Sequence, residues 1–126
     1  MTTISATTRP VAGTATAIGS CGGHSLVVDR PEGAAGGTGT GFNGGQLLAL
    51  ALAGCLANDL RYVADDPHDP RLDTVEVHVD VEVEDGTVTG ARVRFGGEAD
   101  PDVVAAAVRR STVLAALRTG FAVDGA

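Results

Sequence analysis

Residues 47–57 form an uninterrupted run of small and apolar side chains, with Cys55 near its end. The run is shorter than the roughly 20 apolar residues that a membrane-spanning helix needs. It predicts a helix over residues 46–64 whose first half is apolar all round and therefore buried on every side. A cysteine in such a helix is either an inert part of the core or a reactive thiol kept from bulk water.

The composition narrows the class of protein. The 126 residues allow one domain with a modest core, and because only 3% of them are aromatic, that core has to be aliphatic. The formal net charge of −7 argues against binding to nucleic acid or to an anionic membrane surface. The first five residues lack the charged and apolar regions of a signal peptide, so we expect a cytoplasmic protein whose two cysteines are thiols.

The first third of the chain predicts a hairpin followed by a loop. Strands are expected over residues 11–18 and 24–29 with a glycine-rich turn at 19–23, and residues 1–10 are expected to be disordered or a short arm. Residues 31–45 contain seven glycines and are expected to form a loop. A phosphate-binding P-loop is excluded there, because the chain has no lysine and no matching motif.

Residues 74–84 show the clearest period in the sequence, in which five valines alternate with acidic or histidine side chains. This pattern predicts a strand with one buried and one wet face. A hairpin turn at Asp85-Gly86 and a partner strand over residues 87–95 follow, and the arginines of the partner strand are expected to face the acids. Two prolines mark the preceding residues 65–73 as a loop.

The last quarter of the chain predicts two short helices. Asp100-Pro101-Asp102 is a helix start, and Ser111 is expected to cap a second helix that closes at Gly120. Residues 121–123 are expected to return as an edge strand. The predicted fold is therefore α+β, a single domain over residues 1–126 with helices on one side of a curled antiparallel sheet.

Three segments carry a resemblance to a known family. Residues 39–47 read GTGFNGGQL, with Cys55 ten residues after Gly45, and this resembles the G-T-N-P-E-Q-L…A-x-C-F pattern of the OsmC/Ohr family. Residues 111–120 read STVLAALRTG and resemble that family's C-P-V-S-x-A-L-R-x-G, and residues 14–17 resemble its opening hairpin. The resemblance implies an intertwined homodimer with a long central helix that reduces organic hydroperoxides with cysteine thiols.

The resemblance also implies roles for individual residues. Cys55 takes the place of the peroxidatic cysteine, which the family holds as a thiolate with an arginine from the first turn and a glutamate before the helix. A second cysteine near the last helix closes a disulfide, which dithiols reduce. Here Gly45 stands at the glutamate position, Ser111 at the second cysteine, and Cys21 in or near the arginine position. Cys21 is therefore the candidate resolving thiol, and the expected substrate-binding residues are Gln46, Leu47, Leu50 and Ala51.

Other interpretations of the same residues stay open. A divergent member without peroxidase activity would bind or transform a small apolar molecule in the dimer-interface pocket, and a purely structural dimer would keep Cys55 as core. Asp59 lies one helical turn from Cys55, where a carboxylate opposes thiolate formation, and Arg61 could approach Cys55 across a dimer. Cys21, His24 and Cys55 lack the spacing of a zinc site, so neither a metal nor another cofactor is expected.

If Cys21 resolves oxidised Cys55, one equivalent of cumene hydroperoxide should produce a Cys21–Cys55 disulfide. Such a bond needs a Cα separation of about 4.4–6.8 Å. Mass spectrometry under non-reducing conditions would detect it. A sulfenic or sulfinic acid at Cys55, with Cys21 still free, would rule the pairing out.

Overall fold

A computed structural model describes all residues from Met1 to Ala126. The fold class is α+β, with five antiparallel strands and three α-helices. The chain divides into two compact units, Met1–Leu47 and Leu48–Ala126, so the single domain stays a prediction. The prediction of a single curled sheet is wrong for this chain, because the strands form one sheet of three strands and one of two. Each sheet contains only strands that follow one another in sequence, as expected when local hairpins alone supply the pairing.

The first unit contains strands β1 (Ala6–Pro10), β2 (Ala17–Cys21) and β3 (His24–Val28), in the order β1-β2-β3. The β2–β3 hairpin is confirmed, and β1 occupies half of the segment that was expected to be an arm. The strand predicted over residues 11–18 is wrong for most of its length. The Thr14 hydroxyl donates to the Val11 carbonyl oxygen at 2.8 Å, which closes a turn where the prediction had an extended chain.

The glycine-rich loop is organised by the carboxylate of Asp29, which is only 2% exposed. That carboxylate accepts hydrogen bonds from the backbone and hydroxyl groups of Thr38 and Thr40 and from the backbone N–H of Arg30. These hydrogen bonds hold the pKa of Asp29 well below its ordinary value of 3.8. The bond from the Thr38 hydroxyl has the largest effect. Gly41 lies so close to the Val27 carbonyl that a Cβ atom at this position would collide with it. A charged side chain and a close backbone approach therefore order this loop.

Helix α1 extends over Gly44–Val63 and confirms the helix predicted from the apolar run. Its buried side chains include Leu52, Leu56 and Leu60, which are spaced four residues apart and form one stripe. The prediction that the first half of the helix is buried on every side is wrong for the single chain, because Leu50 is 51% exposed and Ala51 is exposed as well. No helix in the structure is both long enough and apolar enough to cross a membrane.

Strands β4 (Val77–Glu84) and β5 (Thr87–Phe95) confirm the second hairpin. Its turn has positive φ at both Asp85 (49°) and Gly86 (77°), the backbone of a two-residue hairpin turn. The expected cross-strand ion pairs are present, with Arg92 3.5 Å from Glu82 and Arg94 4.0 Å from Asp80. The strand starts later than predicted because a short 3₁₀ helix, Pro70–Thr74, precedes it.

Helices α2 (Pro101–Arg110) and α3 (Thr112–Thr119) confirm the two predicted helices. The Asp100 carboxylate caps α2 by accepting from the Asp102 N–H at 2.8 Å, and Gly120 ends α3 with a φ of 71°. The edge strand predicted at residues 121–123 is wrong. These residues follow α3 as an irregular segment without a strand partner, and Phe121 is 74% exposed.

Replacing Asp29 with Asn should destabilise the protein, because an amide offers fewer acceptor sites to the five donors around it. The pKa of Asp29 is lower in the folded protein than in the unfolded chain. Its contribution is therefore present above about pH 4 and is lost as the pH falls through the folded-state value. Urea unfolding midpoints between pH 7 and pH 3 should show a gap between wild type and Asp29→Asn that is constant above about pH 4 and narrows as the pH falls below it. Glu32→Gln, an exposed acid of the same loop, is the matched control, and an equal loss in both variants would contradict the assignment.

Candidate functional site

The polar contacts of Cys55 lie within the second unit, where α1 meets the junction of α2 and α3. Cys55 is half-buried on α1. The Ser111 Oγ atom lies 3.4 Å from the Cys55 Sγ atom and donates to it, and the thiol donates to Asp59 Oδ2, also at 3.4 Å. The sulfur therefore has one hydrogen-bond donor and one acceptor as neighbours, which is more than an inert core cysteine needs.

Ser111 owes its position to helix capping. It lies between α2 and α3, and its Oγ atom accepts from the Leu114 N–H at 3.2 Å, which confirms the predicted N-cap. Its own N–H donates to the Ala107 carbonyl oxygen at 3.0 Å, so the same residue also closes α2. The hydroxyl hydrogen is then free to point at Cys55. With 1% of the residue exposed, water does not compete for that contact.

Asp59 is the second polar neighbour of the sulfur, and helical spacing places it there, as expected. It is 6% exposed, and its Oδ1 atom accepts from the Arg110 Nε atom at 3.1 Å. The Arg110 guanidinium also lies over the Tyr62 ring, 4.4 Å from the ring centre. Within the single chain, Arg61 binds Asp73 and the Pro67 carbonyl oxygen, and its approach to Cys55 across a dimer stays a prediction.

Sequence reasoning missed Arg110. It is 51 residues from Asp59 along the chain, so no helical or strand period connects the two. Its only sequence signal is its place in the last turn of α2, where a basic residue also complements the helix dipole. Arg109 has the same signal and no partner, so the signal alone would not have chosen between them.

A cavity of about 440 Å³ lies in the second unit, beside the buried stripe of α1. Leu52 and Leu56, which flank Cys55 along the helix, form part of its wall, together with residues of β5, α2 and α3. One cation stands among the mostly aliphatic side chains of that wall, which are Leu52, Leu56, Ala91, Val93, Phe95, Val108, Leu114, Leu117 and Arg118.

The other predicted site residues have different surroundings. Cys21 is exposed at the end of β2, opposite His24, and it lines a cavity of about 320 Å³ in the first unit together with Leu47. Gln46 caps α1: its side-chain oxygen accepts from the Asn43 N–H, and its N–H donates to the Asn43 side chain, both at 2.9 Å. Leu50 and Ala51 are exposed. Roles in catalysis or substrate binding stay predictions for all of these residues.

Both cysteines are free thiols in the structure. No group of three or more His, Cys, Asp or Glu residues could hold a metal ion.

Comparison with known proteins identifies one family. A family model described as OsmC-like protein matches residues 37–124, which include Cys55, Asp59, Arg110 and Ser111. The first hairpin, and with it Cys21, precedes the matched region. The search of curated proteins found no match.

Replacing Ser111 with Cys should create a disulfide with Cys55, because the two side-chain atoms are already 3.4 Å apart. An S–S bond of about 2.05 Å requires them to approach by little more than 1 Å. In a Cys21→Ser background, mild oxidation should remove two hydrogens from Ser111→Cys and leave Thr112→Cys, the exposed neighbour, as free thiols. Intact mass under non-reducing conditions reads this directly. Equal behaviour of the two variants would contradict the observed geometry.

Proposed function

The chain belongs to the OsmC-like protein family, and from that membership we propose that it reduces organic hydroperoxides with Cys55 as the reacting thiol. The contact between Ser111 Oγ and Cys55 Sγ carries the proposal. Ser111 stands at the position that resembles the family's second cysteine, and a residue there has to reach the peroxidatic sulfur. The 3.4 Å separation supports the assignment of Cys55 to that sulfur.

The reaction would begin with attack of the Cys55 sulfur on the distal peroxide oxygen. The S–O bond forms, the O–O bond breaks, the thiol becomes a sulfenic acid, and the alkoxide leaves as the alcohol after it takes up a proton. The Ser111 hydroxyl supports negative charge on the sulfur by donating to it. The sulfur is thereby oxidised by two electrons, and the hydroperoxide is reduced by two.

Return to the thiol would need a second sulfur, because the serine at position 111 cannot form a disulfide. Cys21 is the residue we propose for this role. Its thiol would attack the sulfenic sulfur and release water, and a dithiol reductant would then reduce the disulfide. Cys21 is exposed, so an attacking thiol and a reductant both have access to it.

An organic hydroperoxide suits this protein better than hydrogen peroxide. The cavity beside Leu52 and Leu56 is lined mostly by aliphatic side chains and is large enough for the apolar part of a small hydroperoxide. Arg118 offers one polar contact there. The proposal also includes an intertwined homodimer, and the exposed face of α1 at Leu50 and Ala51 is apolar surface that a second copy would bury. Leu47, Leu50, Ala51 and Gln46 would then line an interface pocket.

Peroxide consumption by wild type, Cys55→Ser and Cys21→Ser tests the proposal. With cumene hydroperoxide and excess dithiothreitol, Cys55→Ser should fall to the uncatalysed rate. Cys21→Ser should still oxidise once per chain but should slow in steady state, because its resolving thiol is gone. Hydrogen peroxide should react more slowly than cumene hydroperoxide with wild type. Absence of any peroxide consumption by wild type would refute the proposal and favour a protein that binds or transforms a small apolar molecule.

A further inference from the structure

We propose that Asp59 carries the thiol proton during the peroxide step and that Arg110 positions the Asp59 carboxylate for this task. The inference rests on the proposed function, since it concerns how Cys55 reacts. Both residues belong to the second unit, and neither occupies a position that the resemblance assigns to catalysis. The role proposed for Asp59 and Arg110 therefore comes from the contacts of this chain and not from the resemblance.

The first observation is the contact between Cys55 and Asp59. The thiol donates to Asp59 Oδ2 at 3.4 Å, so the acceptor is in place before the reaction begins. Only 6% of Asp59 is exposed, and water competes poorly for the same hydrogen. Among the residues of the second unit, Asp59 is the one carboxylate in hydrogen-bond contact with the sulfur.

The second observation is the charge balance at the carboxylate. A bare carboxylate beside the sulfur would repel a thiolate, because two negative charges would lie about 3.4 Å apart. Arg110 binds the other carboxylate oxygen at 3.1 Å and offsets that repulsion. The guanidinium also makes a cation–π contact with the Tyr62 ring. Ser111, the N-cap of α3, donates to the sulfur, so a growing negative charge on the sulfur has a hydrogen-bond donor.

The proton and electron balance closes without another reactant. As the sulfur attacks the distal peroxide oxygen, its proton passes to Asp59 Oδ2. The O–O bond breaks, and the departing alkoxide takes that proton from Asp59 and leaves as the alcohol. Asp59 ends as the carboxylate with which it began. An alkoxide is a far stronger base than a carboxylate, so the transfer from thiol to alkoxide is favourable overall.

The direction of the effect of Asp59→Asn decides between two roles. If the carboxylate only repels the thiolate, its removal should speed oxidation. If it carries the proton, Asp59→Asn should slow the reaction about 100-fold near pH 7, within the range found for general acid–base groups. Single-turnover oxidation of Cys55 by cumene hydroperoxide, measured in a Cys21→Ser background with dimedone trapping of the sulfenic acid, gives this rate.

Variants of Arg110 provide a second test, which does not require a substitution at the buried Asp59. Arg110→Gln should slow the same step about tenfold, Arg110→Lys should recover part of the loss, and Arg109→Gln is the matched control, because it removes a neighbouring arginine from the same helix end. Losses due to proton transfer should disappear above about pH 10, where thiols ionise without help. A merely structural loss would persist at every pH.

The outcomes separate the two proposals. Oxidation of Cys55 at the wild-type rate or faster in Asp59→Asn, or equal rates in Arg110→Gln and Arg109→Gln, overturns the proton-carrier role and leaves the peroxidase proposal standing. Cys55 that does not react with hydroperoxide in the Cys21→Ser protein overturns both. If Asp59→Asn does not fold, the Arg110 and Arg109 variants with their pH profiles still decide.

Discussion

The buried hydroxyl of Ser111 holds the junction of α2 and α3 against α1. It accepts from the Leu114 N–H and donates to the Cys55 sulfur, so one oxygen caps a helix and contacts the candidate nucleophile. A buried polar group without a partner costs about 1–3 kcal/mol, and the sulfur is therefore part of what stabilises this junction. Core packing and the proposed reactivity do not exclude each other for Cys55, because the Ser111 hydroxyl that packs against the sulfur also donates a hydrogen bond to it.

The charge at the site follows from the same packing. Helical spacing places Asp59 beside Cys55, and its burial would be costly without a cation, since an uncompensated charge in a protein interior is strongly destabilising. Arg110 provides that cation from the end of α2, the residue immediately before the capping serine. The junction of α2 and α3 thus places two side chains against α1. The Ser111 hydroxyl contacts the Cys55 sulfur, and the Arg110 guanidinium contacts the Asp59 carboxylate. Where the family pattern has its glutamate, this chain has Gly45, and a different charged pair stands near the sulfur.

Local patterns predicted most of the elements, the Ser111 cap and the place of Asp59 beside Cys55, but they did not predict Arg110. The valine alternation with its Asp85-Gly86 turn predicted β4 and β5, and the caps at Asp100 and Ser111 predicted α2 and α3, because each signal lies within the element that it specifies. The Asp59–Arg110 pair joins residues 51 positions apart, and no periodicity encodes such a contact. The separation into two sheets was missed for the same reason, since strand patterns show which faces are apolar but not which strands meet.

The distribution of buried side chains bears on the proposed homodimer. The fully buried apolar residues are Leu52, Leu56, Leu60 and Ala107, and all four belong to the second unit. In the first unit the buried side chain is the carboxylate of Asp29, whose hydrogen bonds organise a loop but remove little apolar surface from water. A three-stranded sheet needs an apolar face packed against something to be stable. A single chain with four buried apolar side chains is poorly supplied for its length, and a second copy that covers apolar surface such as Leu50 would add the missing burial.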